Sequence, residues 1–291
     1  MRLLSFEHGG RVSWGVIGER GGIIDLGALT GRRFPTLRSA LEANAFNELT
    51  ALASARNADL PVDDIRFLPV IPEPQKIFCV GLNYEAHRVE ANRPKTGHPA
   101  IFVRTATSQV GHNENLVVPT ESPSLDYEGE LAIVIGKAGR RINESDAWSH
   151  IAGYAAYNDG SVREWQQHTT QWTSGKNFDA TGAFGPWLVT RDEIEDGAEL
   201  SLVTRLNGVE MQRATTHMMI FDIPSLISYA SAFATLVPGD VILTGTPGGV
   251  GFKRQPPVFM RPGDLVEVEI ERVGTLKNRV VAESINPTKV V

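Results

Sequence analysis

The stretch 125–136, LDYEGELAIVIG, places carboxylates at three alternate positions, Asp126, Glu128 and Glu130, just ahead of five uninterrupted apolar residues. Side chains alternate faces along a strand, so the three acids share one side, with neighbours roughly 6.5 to 7 Å apart. Like charges at that spacing repel unless water or a cation offsets them. The run 131–135 is apolar at every position, the pattern of a strand covered on both faces, so the acidic end is expected at the rim of a core. A divalent cation is the simplest explanation. A solvated face is the competing reading, and the chain contains an example of it. In 264–271, Glu267, Glu269 and Glu271 alternate with Val266, Val268 and Ile270, as expected of a half-solvated antiparallel strand.

Two further groups have spacing that suits chemistry. His87 and Glu90 lie three apart, so on a helical turn they share a face and the carboxylate can orient and charge the imidazole. An ordinary surface pair has the same spacing. The turn Gly245-Thr246-Pro247-Gly248-Gly249-Val250-Gly251 follows an apolar strand signal, VILT. It lacks the Lys-Ser/Thr of a P-loop and the G-x-G-x-x-G dinucleotide pattern, which disfavours nucleotide binding. Consecutive glycines after a strand can instead aim several backbone N–H groups at one point, a nest suited to a carboxylate; a plain tight turn is the alternative. The single cysteine, Cys79 in IFCVG, reads as a packed strand residue and excludes a disulfide framework or a cysteine zinc site.

These residues must be positioned by the elements around them. A chain of 291 residues, 42% hydrophobic and 21% charged, has ordinary globular composition, and its 28 glycines and 17 prolines favour strands and turns over a helical bundle. With 28 Lys+Arg against 34 Asp+Glu there is no basic face for a polyanion, so nucleic acid is not an expected partner. Glu7 and His8 interrupt the start, and no segment approaches the roughly 20 apolar residues of a membrane span. A soluble cytoplasmic protein is expected. Short strand signals at 12–17 and 22–26 precede a helical pattern of Leu37, Leu41, Ala45, Leu49 and Leu52. Pro69, Pro72 and Pro74 then mark a boundary, giving an N-terminal domain over 1–70 and a larger one over 71–291. A helix is expected from Asp222-Ile223-Pro224, with Ile223, Leu226, Ile227, Ala230, Phe233 and Val237 packed inward.

Taken in order, GLNYEAHRVE, DYEGELA, YAAYNDGSVREWQ, QWTSGKNFDA and TGTPGGVG resemble the fumarylacetoacetate hydrolase family from about Lys76 to Val281. The resemblance implies an α+β, β-rich fold: a mixed β-sheet roll with a small N-terminal α/β domain, paired as a homodimer. It implies that Glu128, Glu130 and Asp159 hold Mg²⁺ or Mn²⁺, leaving Asp126 as the acid that does not ligate. A set of three carboxylates is hard and oxygen-only, suited to Mg²⁺, Mn²⁺ or Ca²⁺ rather than zinc. The family's Y-x-x-H-x-x-E lid falls on Tyr84, His87 and Glu90, which implies water activation by His87 with Glu90 as its partner. Lys176 matches the lysine of K-x-F-D, a cation near the developing oxyanion. Arg163, Gln166 and Thr246 match positions that contact substrate, and Gly245 begins the glycine turn beside them.

Two departures stand out: Ala180 follows Asp179 where many relatives have Thr, and Arg104 stands in FVRT where many read F-L-K-P. The leading expectation is a metal-dependent hydrolase cleaving the C–C bond of a 2,4-dioxo acid, an acylpyruvate or fumarylpyruvate. Isomerisation or decarboxylation of a 2-hydroxy-diene-dioate or of oxaloacetate is the alternative within the same site. A non-catalytic, metal-stabilised binding module is the alternative of another class.

Overall fold

The computed structural model describes residues 1–18 and 21–284, so 285–291 of the expected larger domain lie outside the described residues. The apolar run after the acids forms the strand Gly129–Ile135 in the middle of a sheet. Leu131, Ile133 and Ile135 join an apolar cluster on one face and Ala132 and Val134 one on the other, so the strand is covered on both sides as its composition requires. Each such large side chain contributes about 1.5–3 kcal/mol when fully buried.

The sheet runs in the order Ile23–Ile24, Arg11–Ile17, Arg2–His8, Gly182–Thr190, Ile151–Asn158, Gly129–Ile135, Val241–Leu243, Ile77–Gly81, Ala100–Arg104. Leu3 pairs with Leu188, so the strands of the first 70 residues extend the sheet that carries the acids. The helices near the N-terminus cover one face of it through Leu37, Leu41 and Leu49. A second, five-stranded sheet closes the opposite face. Its strand Leu265–Ile270 buries Val266, Val268 and Ile270 and leaves Glu267 and Glu269 partly exposed, the half-solvated alternation expected of it. The fold is α+β and strand-rich. Among the described residues no helix is long and apolar enough to cross a membrane.

Three expectations are corrected. The pattern Leu37 to Leu52 is not one helix but two, Leu37–Glu42 and Phe46–Ser54, because Asn44 takes a left-handed φ of 49° that no helix interior accepts. The helix Ile223–Phe233 starts as expected, with Asp222 accepting the Ser225 N–H at 3.0 Å, but ends four residues before Val237. Phe233 is 51% exposed, its ring edge-on to Phe78 at 5.4 Å. The acidic stretch is not one strand either: Leu125–Asp126 pairs with Ser161–Val162 in a separate ribbon, so Asp126 leaves the face of Glu130.

His112 sits at the seam between the two sheets, its ring edge-on to Phe67 at 4.9 Å and its Nδ1 accepting the Lys277 N–H at 3.1 Å. Burial, aided by the Lys277 ammonium, lowers its pKa to about 4. Because the folded value lies below the ordinary 6.5, the unfolded chain takes up a proton first. This contribution to stability is therefore intact above about pH 6.5 and is lost as pH falls toward 4, with a slope of up to about 1.4 kcal/mol per pH unit. Thermal unfolding of His112→Gln should accordingly show a shallower loss between pH 6.5 and 4.5 than the parent chain. Parallel pH profiles would show that His112 does not titrate on unfolding.

Candidate active site

The strand Gly129–Ile135 carries Glu130 at its entrance, and Glu128 lies just before it. Asp159 follows the neighbouring strand Ile151–Asn158, whose last residues pair with Gly129 and Glu130. The backbone locks this register: the Asp159 N–H donates to the Glu128 carbonyl at 2.8 Å, and the Glu128 N–H donates to Asn158 Oδ1 at 2.9 Å. Glu128, Glu130 and Asp159 thereby bring one carboxylate oxygen each to within 4.8 Å of one another, all three buried.

Three cations surround them. Lys176 Nζ bridges Glu128 Oε2 and Asp159 Oδ2 at 2.6 Å each. Gly175 makes that approach possible, since a Cβ there would lie 2.3 Å from the Gln166 backbone nitrogen. Arg163 donates from Nε to Asp126 Oδ2 at 2.9 Å and from Nη1 to Gln166 Oε1 at 2.9 Å, and its Nη2 lies 2.7 Å from Glu128 Oε1. Arg104 spends all five of its N–H donors, on Asp159 Oδ1 (2.7 Å), Gly160 O, Ser108 Oγ, Ser108 O and Thr181 Oγ1. The two departures from the family pattern thus meet. Thr181, one residue after Ala180, supplies a hydroxyl to the guanidinium that fixes Asp159.

Four buried carboxylates, Asp126, Glu128, Glu130 and Asp159, face these three cations, so one negative charge is left over. It falls on Glu130, which among the described residues has no ion-pair partner and accepts only the Gly245 N–H, at 2.8 Å. Burial raises the Glu128 carboxyl, but Lys176 and Arg163 together outweigh it and hold it at about 2. Burial, reinforced by Asp159 and Glu128, pushes Glu130 well up, against Lys176 and the Gly245 N–H. A proton or a cation must therefore share Glu130, and three converging hard oxygens suit a divalent ion. The acidic triad can bind a divalent metal.

The glycine turn does not aim its N–H groups at one point but spreads them over three of the protein's own carboxylates. Gly245 N–H meets Glu130, Gly249 N–H meets Glu90 Oε2 at 2.9 Å, and the Gly251 and Phe252 N–H groups meet Asp126 at 2.9 and 3.0 Å. Gly245 needs its φ of 99° to do so, and a Cβ there would sit 2.7 Å from that of Asn83. Thr246 donates to the Gly129 carbonyl at 3.0 Å and accepts from Gln212 Nε2 at 2.7 Å. Gln212, unremarked in the sequence because it lies on the other sheet, also accepts the Gly129 N–H at 3.0 Å and so pins the turn to the start of the acidic strand.

The Tyr84–Glu90 segment is anchored at its start. Tyr84 is buried, and Asn83 bonds the Phe221 and Thr244 backbones. The helix Glu85–Glu90 sets His87 Nδ1 2.8 Å from Glu90 Oε1. Together His87, Glu128, Glu130, Arg163, Gln166, Lys176 and Thr246 line one cavity of about 590 Å³, within the usual range for small-ligand sites. Glu90 stands behind His87 rather than in the cavity wall, and Asp159 lies behind Lys176.

Comparison with known proteins gives a consistent result. Residues 76–281 match the family described as fumarylacetoacetate (FAA) hydrolase C-terminal. The chain is 42% identical over 293 residues to oxaloacetate tautomerase FAHD2A, mitochondrial, of Bos taurus, covering 97% of this chain and 92% of the relative. It resembles the solved 5-carboxymethyl-2-hydroxymuconate delta-isomerase of Mycobacterium smegmatis, with TM-score 0.76, 32% identity, and coverage of 98% and 100%. It likewise resembles maleylpyruvate hydrolase of Sphingobium sp. SYK-6 in complex with manganese(II) ion and pyruvate, with TM-score 0.81, 31% identity, and coverage of 98% and 100%. The mitochondrial designation of the Bos taurus relative overturns the expected cytoplasmic location. That expectation rested on Glu7 and His8 interrupting a secretory-type apolar start and on the lack of a membrane-length apolar segment, neither of which bears on a mitochondrial address.

Proposed function

The chain belongs to the fumarylacetoacetate hydrolase family of enzymes, and from that premise we propose that it catalyses divalent-metal-dependent keto–enol tautomerisation of a 2-oxo acid of the oxaloacetate type. The observation that carries this reading is the placement of His87, Glu128 and Glu130 in the wall of one cavity, with the Asp159 carboxylate within 4.8 Å of both acids. Membership of an enzyme family sets aside the non-catalytic module.

Glu128, Glu130 and Asp159 would hold the ion, with Lys176, Arg163 and Arg104 fixing the two outer carboxylates. Bound there, a divalent ion supplies coordination positions for a carboxylate and an adjacent keto oxygen, and positive charge where an oxyanion develops. Triad, three cations and ion together sum to one positive charge once Asp126 is included, which favours an anionic ligand. Glu90 faces Nδ1 of His87 and is itself held by Gly249, so Nδ1 donates to the carboxylate and Nε2 keeps a lone pair for the cavity. His87 can then take the proton from the carbon beside the keto group and return it at oxygen, or the reverse.

A second reading is hydrolysis of a 2,4-dioxo acid, the leading expectation from sequence. The same His87–Glu90 pair favours it, since an imidazole backed by a carboxylate also activates water. The readings separate in a direct assay. Enol-oxaloacetate loss is followed by ultraviolet absorbance, and pyruvate release from acetylpyruvate by a coupled reductase, each with Mn²⁺ and with chelator. We expect Mn²⁺-dependent acceleration of the first to exceed turnover in the second. Faster acetylpyruvate cleavage would favour hydrolysis, and no Mn²⁺-dependent acceleration of either would defeat both readings.

A further inference from the structure

We propose that Phe102 and Trp172 form an aromatic subsite beside the acidic triad, so that the cavity also receives 2-oxo acids that carry an aryl group at their far end. On the reading above, in which the triad and its ion hold the 2-oxo acid end, the far end of a longer acid meets these two rings.

Short steps lead from the triad to the rings along two routes. Lys176 Nζ, 2.6 Å from Glu128 Oε2, lies 5.0 Å from the centroid of the Phe102 ring. Phe102 in turn meets Trp172 edge-on, with centroids 5.5 Å apart and planes at 70°. From Glu130 the route runs through its partner Gly245, which packs so closely on the Val80 carbonyl that a Cβ would sit 3.0 Å from it. Gly81 follows Val80 at the end of the strand Ile77–Gly81 and lies under the Trp172 indole. A Cβ on Gly81 would overlap Trp172 Cζ3 and lie 2.7 Å from Cη2. Gly81 does not have a left-handed φ, so it is the indole and not the backbone that requires glycine there.

The rings are also fixed relative to the charged floor. Asn177 donates from Nδ2 to the Val103 and Thr173 carbonyls at 3.0 and 2.8 Å, and its Oδ1 accepts the Thr105 N–H at 2.6 Å. These bonds tie the helix Thr173–Lys176 to the strand Ala100–Arg104, which carries Phe102. Trp172 precedes that helix and Lys176 ends it, so a single helical turn sets the spacing between the aromatic wall and the acids. Phe102 is backed by the apolar cluster beneath the N-terminal helices. Even so, both rings remain only half-buried and line the cavity, whereas Tyr157 and Phe184 in the same sheet are fully buried. Apolar area facing water inside a cavity is area that a ligand can cover, and an edge-on pair of rings accepts a third ring in the same geometry. A charged group placed there would lose water without gaining a partner from either ring. The cavity volume of about 590 Å³ exceeds the need of a four-carbon acid, which leaves room for an aryl group beside the seated 2-oxo acid end.

Titration calorimetry of the Mn²⁺-loaded protein with 2-oxo-4-phenylbutanoate and 2-oxobutanoate, which differ only by the phenyl group, tests this without relying on turnover. The phenyl acid should bind about tenfold more tightly. In Trp172→Ala the ratio of the two affinities should fall most of the way to one, and Trp172→Phe should keep most of it. Gly81→Ala, whose Cβ displaces the indole, should lower the ratio as Trp172→Ala does, and combining the two should lower it no further. Equal binding of both acids by the parent protein would overturn the aromatic subsite while leaving the tautomerase reading in place. A phenyl acid that binds Trp172→Ala more tightly than the parent would make the indole a barrier and also overturn it. Variants that weaken both acids equally, with the ratio unchanged, would reduce Trp172 to a support of the cavity wall, with the same consequence. Binding of neither acid would overturn both the subsite and the seating of a 2-oxo acid at the ion.

Discussion

Glu130→Gln is expected to abolish turnover while making the metal-free protein more stable. The two effects have one cause. Glu130 is the buried acid left without a cation when Asp126, Glu128 and Asp159 are matched by Arg163, Lys176 and Arg104. A glutamine keeps an oxygen for the Gly245 N–H and offers an amide donor toward the neighbouring carboxylates, so the unmatched charge disappears without a lost hydrogen bond. Relief of about 1 kcal/mol corresponds to about 2–4 °C in Tm for a chain of this size. The parent protein, however, should gain about 2.7 kcal/mol when Mn²⁺ is raised to about a hundred times its Kd, and the variant almost nothing. Loss of several kcal/mol of transition-state charge stabilisation predicts a fall in kcat of about 10³-fold or more. Thermal unfolding with chelator and with Mn²⁺ checks both halves. A variant less stable than the parent in chelator would contradict the charge count. One that keeps the Mn²⁺ shift would remove Glu130 from the ligand set.

What could be read in the sequence was what is local. The five-residue apolar run specified a strand covered on both faces because each residue in it reports its own side, and Leu131 and Ala132 do end on opposite faces. The strand 265–270 was legible for the same reason. The acids were legible only in part. Alternation alone assigned Asp126, Glu128 and Glu130 to one face, whereas Asp126 belongs to a different ribbon and is claimed by Arg163 and by two N–H groups of the glycine turn. Nothing near Asp126 in the chain signals a partner 125 residues away. Gln212 and the Asn83 contacts to Phe221 and Thr244 are of the same kind. Asp159 and Lys176 entered through the family's motifs, since neither carries a local pattern that distinguishes it from a turn acid or a surface lysine. Arg104 was noticed because it departs from those motifs, but the use of all its donors depends on Ser108, Gly160 and Thr181 folding around it. The Leu37–Leu52 helix failed at Asn44, where a break by a residue that tolerates left-handed backbone overrode the apolar period.

His87→Ala should lower tautomerisation by about 10²- to 10⁴-fold while leaving the Mn²⁺-dependent rise in Tm as it is in the parent chain. The separation is expected because the three carboxylates that would hold the ion sit on or beside the strands Gly129–Ile135 and Ile151–Asn158, whereas His87 comes from a separate element, the helix Glu85–Glu90. The informative companion is Glu90→Gln. The Glu90 carboxylate accepts from both Gly249 N–H and His87 Nδ1, which fixes the imidazole proton on Nδ1 and leaves Nε2 able to take one. A glutamine that keeps its oxygen on Gly249 turns its amide N–H toward Nδ1. The imidazole must then carry its proton on Nε2, where it can donate but not accept. Glu90→Gln is therefore expected to lose nearly as much activity as His87→Ala, with the fold and the Mn²⁺ shift retained. Should Glu90→Gln turn over like the parent while His87→Ala is inactive, Glu90 is only a helix-docking contact and the tautomer argument fails. Should His87→Ala itself be undiminished, the proton moves through another group, and His87 leaves the mechanism.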